Sequence, residues 1–180
     1  MLTARGKKKE NIVEYLLYMW LIEDQIRALN LEIEAIQQHI IDAYEQPDSV
    51  KQEIREWYES LIEMMRMEQV QTNGHLQLNT NVITELNELH QQLLAMPQAS
   101  LYNMQYHQVL PFIVELRAKG PKESGEIETC ITFLYGVWML KSQQKPLSPE
   151  TEQALEKISG FLRTLAVYYK KMAEEGLEEA

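Results

Sequence analysis

The residues best placed to do chemistry lie together at the end of an apolar run, in the stretch WLIEDQIRAL, which supplies Trp20, Glu23, Asp24 and Arg27. A carboxylate held on an apolar helix face can serve as a general base or bind a cation, because burial penalises its charge until a partner is supplied. The same acids beside an arginine also describe an ion pair that only fixes packing, and a carboxylate pair alone does not separate the two readings. Asp24 shares a stripe with Val13, Leu17, Trp20, Ala28 and Leu31. It is therefore the acid expected to be buried, with Glu23 at the edge of the main stripe and Arg27 within reach of both.

Other polar residues fall on apolar faces. His75, Asn79 and His90 share an arc centred on Leu86. They offer metal ligands on one reading and hydrogen-bonded core groups on the other. About four turns, some 22 Å, separate the two histidines on a helix, so they cannot share one metal ion. The tryptophans Trp20, Trp57 and Trp138, with Tyr15, Tyr18 and Tyr135, would line a ligand cavity or fill the core with their polar tips outward. Met64, Met65 and Met67 suit an adaptable contact surface or a packed seam. Cys130 stands in an apolar context, where a thiol is inert. No H-E-x-x-H, C-x-x-C, P-loop or G-x-G-x-x-G pattern is present. The residues three before His39, His75, His90 and His107 are not glutamates, which disfavours a di-iron carboxylate bundle. No cofactor is implied.

The elements that must hold these residues read as helices throughout. No glycine or proline occurs between Lys7 and Gln46. Ile12, Leu16, Met19, Ile22, Ile26, Leu29, Ile33, Ile36 and Ile40 recur at steps of three and four, predicting one helix over about 8–45. Such a helix is roughly 55 Å long, whereas a compact chain of this size is about 40 Å across. It must bend or overhang, and an overhanging apolar stripe calls for a second subunit. Further helices are predicted at about 49–70, 75–96, 99–118 (kinked or split at Pro111), 123–142 and 149–173, with Ser148 capping the last. AKGPKESGE is the most loop-like segment. The result is an all-α, single-domain bundle over 1–180 of about six mostly antiparallel helices, with a basic N-terminal arm at 1–8 and a frayed acidic tail at 174–180.

Bulk properties narrow the classes. The formal charge of −10 argues against nucleic-acid binding, since the basic residues cluster only at Arg5, Lys7, Lys8 and Lys9. The eleven-residue apolar run from Ile12 to Ile22 is about half the ~20 residues of a membrane span, and no small-residue cleavage site follows it. With a single cysteine, Cys130, the chain fits a reducing compartment, so a soluble cytoplasmic protein is expected.

The segment KKKENIVEYLLYMWLIEDQIRAL, the total length and the tryptophan-bearing fifth helix together resemble an uncharacterised family of gut-bacterial proteins known only as a domain of unknown function. The likeness covers essentially the whole chain and is most specific at its N-terminus. It implies an all-helical fold in a bacterial cytoplasm and supplies no activity or catalytic residue. The expectation is thus a non-enzymatic module that forms a homo-oligomer, a dimer, or binds a protein partner. The alternative is a small-molecule-binding bundle with a pocket near Trp20, Trp57 and Trp138, Asp24 being its first polar candidate.

Overall fold

In the computed structural model, which describes residues 2–120 and 124–175, two asparagines divide what the apolar spacing presents as one helix. Asn11 leaves the helical region at φ −153°, and its side-chain oxygen accepts from the amides of Val13 and Glu14. This N-cap starts a new helix and ends the one before it. Asn30 and Leu31 then take positive φ of 54° and 59°. The Asn30 amide donates to Arg27 and the Leu31 amide to Ile26, which is the Schellman closure of a helix end. The expected helix over 8–45 is therefore replaced by α1 (Leu2–Glu10), α2 (Ile12–Ala28) and α3 (Ile33–Ile36), the last running into a π-helical segment, Gln37–Ile41. Without a 55 Å rod the premise of the overhang is gone, and the dimer expected from it loses that support.

The remaining elements are α4 (Asp48–Met67), α5 (Gln77–Ala95), α6 (Ser100–Lys119), α7 (Glu126–Ser142) and α8 (Pro149–Glu175). The described residues thus form eight α-helices rather than six, and no strand. Gln69 and Gln144, at φ 58° and 56°, close α4 and α7 in the same way as Asn30 closes α2. Ser148 accepts from the Thr151 amide, the cap expected of it for α8. Pro111 lies inside an unbroken α6 and is exposed. On that side water can take the carbonyl the proline leaves unpaired, so the helix is not split.

One continuous core joins these helices. α8 packs against α2, α5, α6 and α7, burying Ile158, Phe161, Leu162 and Leu165. From α2 come Ile12, Leu16, Met19, Ile22 and Ile26, each contributing about 1.5–3 kcal/mol by burial. The basic stretch expected as an arm is helical from Leu2 onward and buries Ala4. Glu174 and Glu175 belong to α8; the rest of the expected tail, residues 176–180, and residues 121–123 of the expected loop lie outside the described residues.

If residue 30 sets the end of α2, Asn30→Ala will lower stability by about 1 kcal/mol, the cost of an alanine at positive φ. Asn30→Gly will hold or raise it by a few tenths. Urea unfolding of the two variants measures the difference, and equal midpoints would place the helix stop elsewhere.

Candidate functional site

Glu23 stands four residues after Met19 and three before Ile26, and so projects from the same buried face of α2; it is 0% exposed. What makes this tolerable is the start of α5. The first amides of any helix lack intrahelical acceptors, and Leu76, the residue at the cap position of α5, has no side-chain oxygen to offer. Glu23 supplies it from another helix. Its Oε1 accepts from the Leu76 amide at 2.9 Å and from Asn79 Nδ2 at 2.7 Å, while Oε2 meets His75 Nδ1 at 2.6 Å. Glu68 takes the Gln77 amide at 2.6 Å. Two carboxylates thus close the positive end of α5.

Asp24 is not the buried acid: its side chain is 48% exposed. One residue further round α2, it faces the α7 side. There it accepts from the Tyr135 hydroxyl at 2.6 Å and pairs with Arg27 at 3.0 Å. Arg27 in turn donates to the carbonyls of Val70 and Gly74, gripping the α4–α5 connection. The Asn73–Gly74 turn forms there with Gly74 at φ 83°, a conformation that favours glycine. Burial, then the Asp24 carboxylate, raises the pKa of the Tyr135 phenol, so the hydroxyl keeps the proton it donates.

An aromatic series crosses this junction. The rings of Trp20 and His75 stack at 4.1 Å and 11°, Tyr135 meets Trp20 edge-on at 5.8 Å, and Trp138 meets Tyr135 at 6.0 Å. Trp20 is buried, whereas Trp138 is 41% exposed. The three tryptophans do not share a cleft. Trp138 lines one with Lys7, Glu14, Leu17, Tyr18 and Leu21; Trp57 lines another with Tyr15, Met19 and Met64. The structure therefore brings together Trp20, Glu23, Asp24 and Arg27, adds His75, Asn79 and Tyr135, and leaves Trp57 apart. Among the methionines, Met65 is core and Met67 is 70% exposed.

His75 turns Nδ1 to the Glu23 carboxyl group, which leaves Nε2 pointing away from it. That is the orientation of a general base or of a metal-bound imidazole. Among the described residues, however, no three metal-binding side chains group together, and no nucleophile is hydrogen-bonded to His75. Trp20 Nε1, Arg27 Nε and Asn79 Oδ1 are buried without a protein partner. The contacts present tie α2, α5 and α7 to one another.

His90 lies elsewhere on α5, buried, with Nδ1 2.7 Å from the Tyr102 hydroxyl and Nε2 3.3 Å from Glu126. Burial lowers its pKa, and the contact with Glu126 partly restores it. Cys130 is fully enclosed and its thiol is pushed up to about 12, which leaves it inert. From the sequence Tyr135 reads only as a cavity-lining or core aromatic and not as a partner of Asp24, and nothing singles out Tyr102 or Glu126. The one available signal was for Glu23, whose spacing from Met19 and Ile26 marks the buried face.

The fold and this junction define an all-α protein whose helices are joined by cross-helix carboxylate caps; among the described residues no helix is long and apolar enough to cross a membrane. The family described as "Domain of unknown function (DUF4924)" matches residues 1–176, and the chain belongs to that family. No curated protein and no solved structure matches it.

Removing Glu23 orphans three donors, so Glu23→Ala is expected to cost about 3–5 kcal/mol, while Asp24→Ala costs under about 1 kcal/mol because that pair is half in water. Chemical denaturation of both variants tests the order, and the reverse order would return the central role to Asp24. For His90, the unfolded chain takes up a proton near 6.5 and the folded chain only at lower pH. The stability that neutral His90 contributes is therefore whole above 6.5 and is lost as pH falls below it. Unfolding midpoints measured from pH 7.5 to 5 should fall more steeply for the native chain than for His90→Gln.

Proposed function

We propose that this chain is a non-enzymatic helical module that pairs with a second copy of itself through the face shared by α2 and α7, forming a homodimer in the cytoplasm. The observation that carries this reading is Trp138. α7 is apolar almost all round, yet the fold covers only part of it: Ile127, Cys130, Ile131 and Val137 are buried, while Trp138, on the side toward α2, is exposed. Leu17, Tyr18 and Leu21 of α2 extend the apolar strip beside Trp138. Large aromatics in such a setting are the usual anchors of an interface.

A second copy suits the rim of this strip. Lys7 and Glu14, one residue of each sign, stand at its edge 3.1 Å apart. A two-fold interface pairs residue i of one copy with residue j of the other and j with i, so this rim is self-complementary in charge. The chain's net charge of −10 disfavours association through most of its surface, which directs pairing to an uncharged strip. The single buried cysteine suits a reducing compartment.

Native mass spectrometry at micromolar concentration tests this. The expected result is a dimer for the native chain and a monomer for Trp138→Glu, a loss of about 2 kcal/mol or more for an anchor residue. Leu101→Glu, altering an exposed leucine on α6, should leave the dimer intact. A native chain that is monomeric, or a Trp138→Glu chain that still pairs, would overturn the assignment.

A further inference from the structure

A second cleft, which shares no lining residue with the self-association strip, has a composition of its own. It is bounded by α1, α2, α4 and α5 and encloses about 220 Å³. Tyr15, Met19 and Leu61 form a buried floor, and half-buried Trp57, Met64 and Leu78 form the walls. Arg5 and Lys8 stand exposed at the mouth, Lys8 lying 5.5 Å above the Tyr15 ring. No acid lines it. That absence is notable in a chain with 27 acids against 17 basic residues. The neighbouring cleft beside α8, which Lys8 also borders, has Glu10 and Glu174 among its lining residues.

Some basic side chains are neutralised within the fold, and the two at the mouth are not among them. Lys7 is paired with Glu14, Arg27 with Asp24, Arg55 with Glu34 and Glu59, and Lys119 with Glu115. Among the described residues, Arg5 and Lys8 have no carboxylate partner. An apolar trough with two uncompensated cations at its lip is complementary to a molecule with an apolar body and an anionic head. At the ~30 Å³ that a water-sized group occupies in a liquid, the cleft takes about seven or eight such groups, below the size of a drug-like ligand site.

We propose that this cleft binds a small free carboxylic acid with an apolar tail of about eight carbons, the tail resting on Tyr15, Met19 and Trp57 and the carboxylate meeting Arg5 and Lys8. The site is separate from the α2/α7 strip, and neither assignment depends on the other.

Octanoate is the probe, with octan-1-ol (the same tail, no charge) and acetate (the same charge, no tail) as comparisons. In amide-correlation NMR spectra of the full chain, octanoate should saturably shift the Trp57 indole signal and the amides around Arg5, Lys8 and Met64. Octanol and acetate should bind at least about tenfold more weakly, the order expected for two partly exposed charges or for the lost tail. The double change Arg5→Gln and Lys8→Gln, both on exposed side chains, should weaken octanoate about tenfold and leave octanol unchanged. Trp57→Ala should weaken both. Octanol binding as tightly as octanoate, non-saturating shifts, or shifts centred away from Trp57 would each overturn the proposal, and these readings need only the native chain. Unaltered octanoate binding by a folded double variant would do the same.

Discussion

A carboxylate taken out of water must recover its hydrogen bonds from the protein, and Glu23 recovers all of its own from residues 75–79 and none from its own helix. That fixes where α5 begins relative to α2. One turn later Arg27 reverses the polarity, donating to the carbonyls of Val70 and Gly74 in the same connection. The connection between α4 and α5 is thus held by the Leu76 amide and two side chains through an anion and by its carbonyls through a cation, both on α2. Asp24, one residue and about 100° round the helix from Glu23, reaches the other way to Tyr135 on α7. Two consecutive acids therefore set the positions of two different helices. Each is committed by its partners: three donors at the end of a helix for the buried one, a hydroxyl and a guanidinium for the half-exposed one.

Helix identity was legible from periodicity, and so were most of the core positions, because burial enforces spacing of three and four. Helix ends were not. Glycine and proline are the punctuation a sequence displays, but α2, α4 and α7 each close at a non-glycine residue with positive φ, at Asn30, Gln69 and Gln144. The Schellman closure needs two backbone hydrogen bonds and a left-handed residue. Any side chain that tolerates the strain can occupy it when tertiary packing fixes where the next segment goes. Asn11 is an N-cap followed at once by Ile12 and Val13, but it stands inside an uninterrupted helical pattern that hides it. The absence of breakers is weak evidence for a single long helix when asparagines stand at the turns.

The site was half legible for a related reason. α2 is apolar on nearly every side, so two stripes fit it and the boundary between them is uncertain by one residue. That single residue is the difference between Glu23 and Asp24. What decides it lies across the interface. The unsatisfied amides at the start of α5 have no capping side chain at Leu76, and only the packing of α2 against α5 shows that they need an acceptor. Cross-helix partners such as Tyr135, 111 residues from Asp24, carry no local signal at all. Sequence periodicity reports which face is buried; it does not report what the face meets.

The aromatic series from His75 through Trp20 and Tyr135 to Trp138 links this buried junction to the surface. Its inner members are constrained from both sides: His75 by Glu23 and the Trp20 stack, Tyr135 by the Asp24 hydrogen bond and two ring contacts. Trp138 therefore rests on a ring that is itself held in place. Covering a side chain costs free energy in proportion to the rotamer freedom it loses, about 0.5–1.5 kcal/mol for a mobile one. A ring already braced by its neighbour has less to lose. The polar junction that positions α7 against α2 thus also prepares the exposed face of α7, and disturbing Asp24 would loosen Trp138 without touching it.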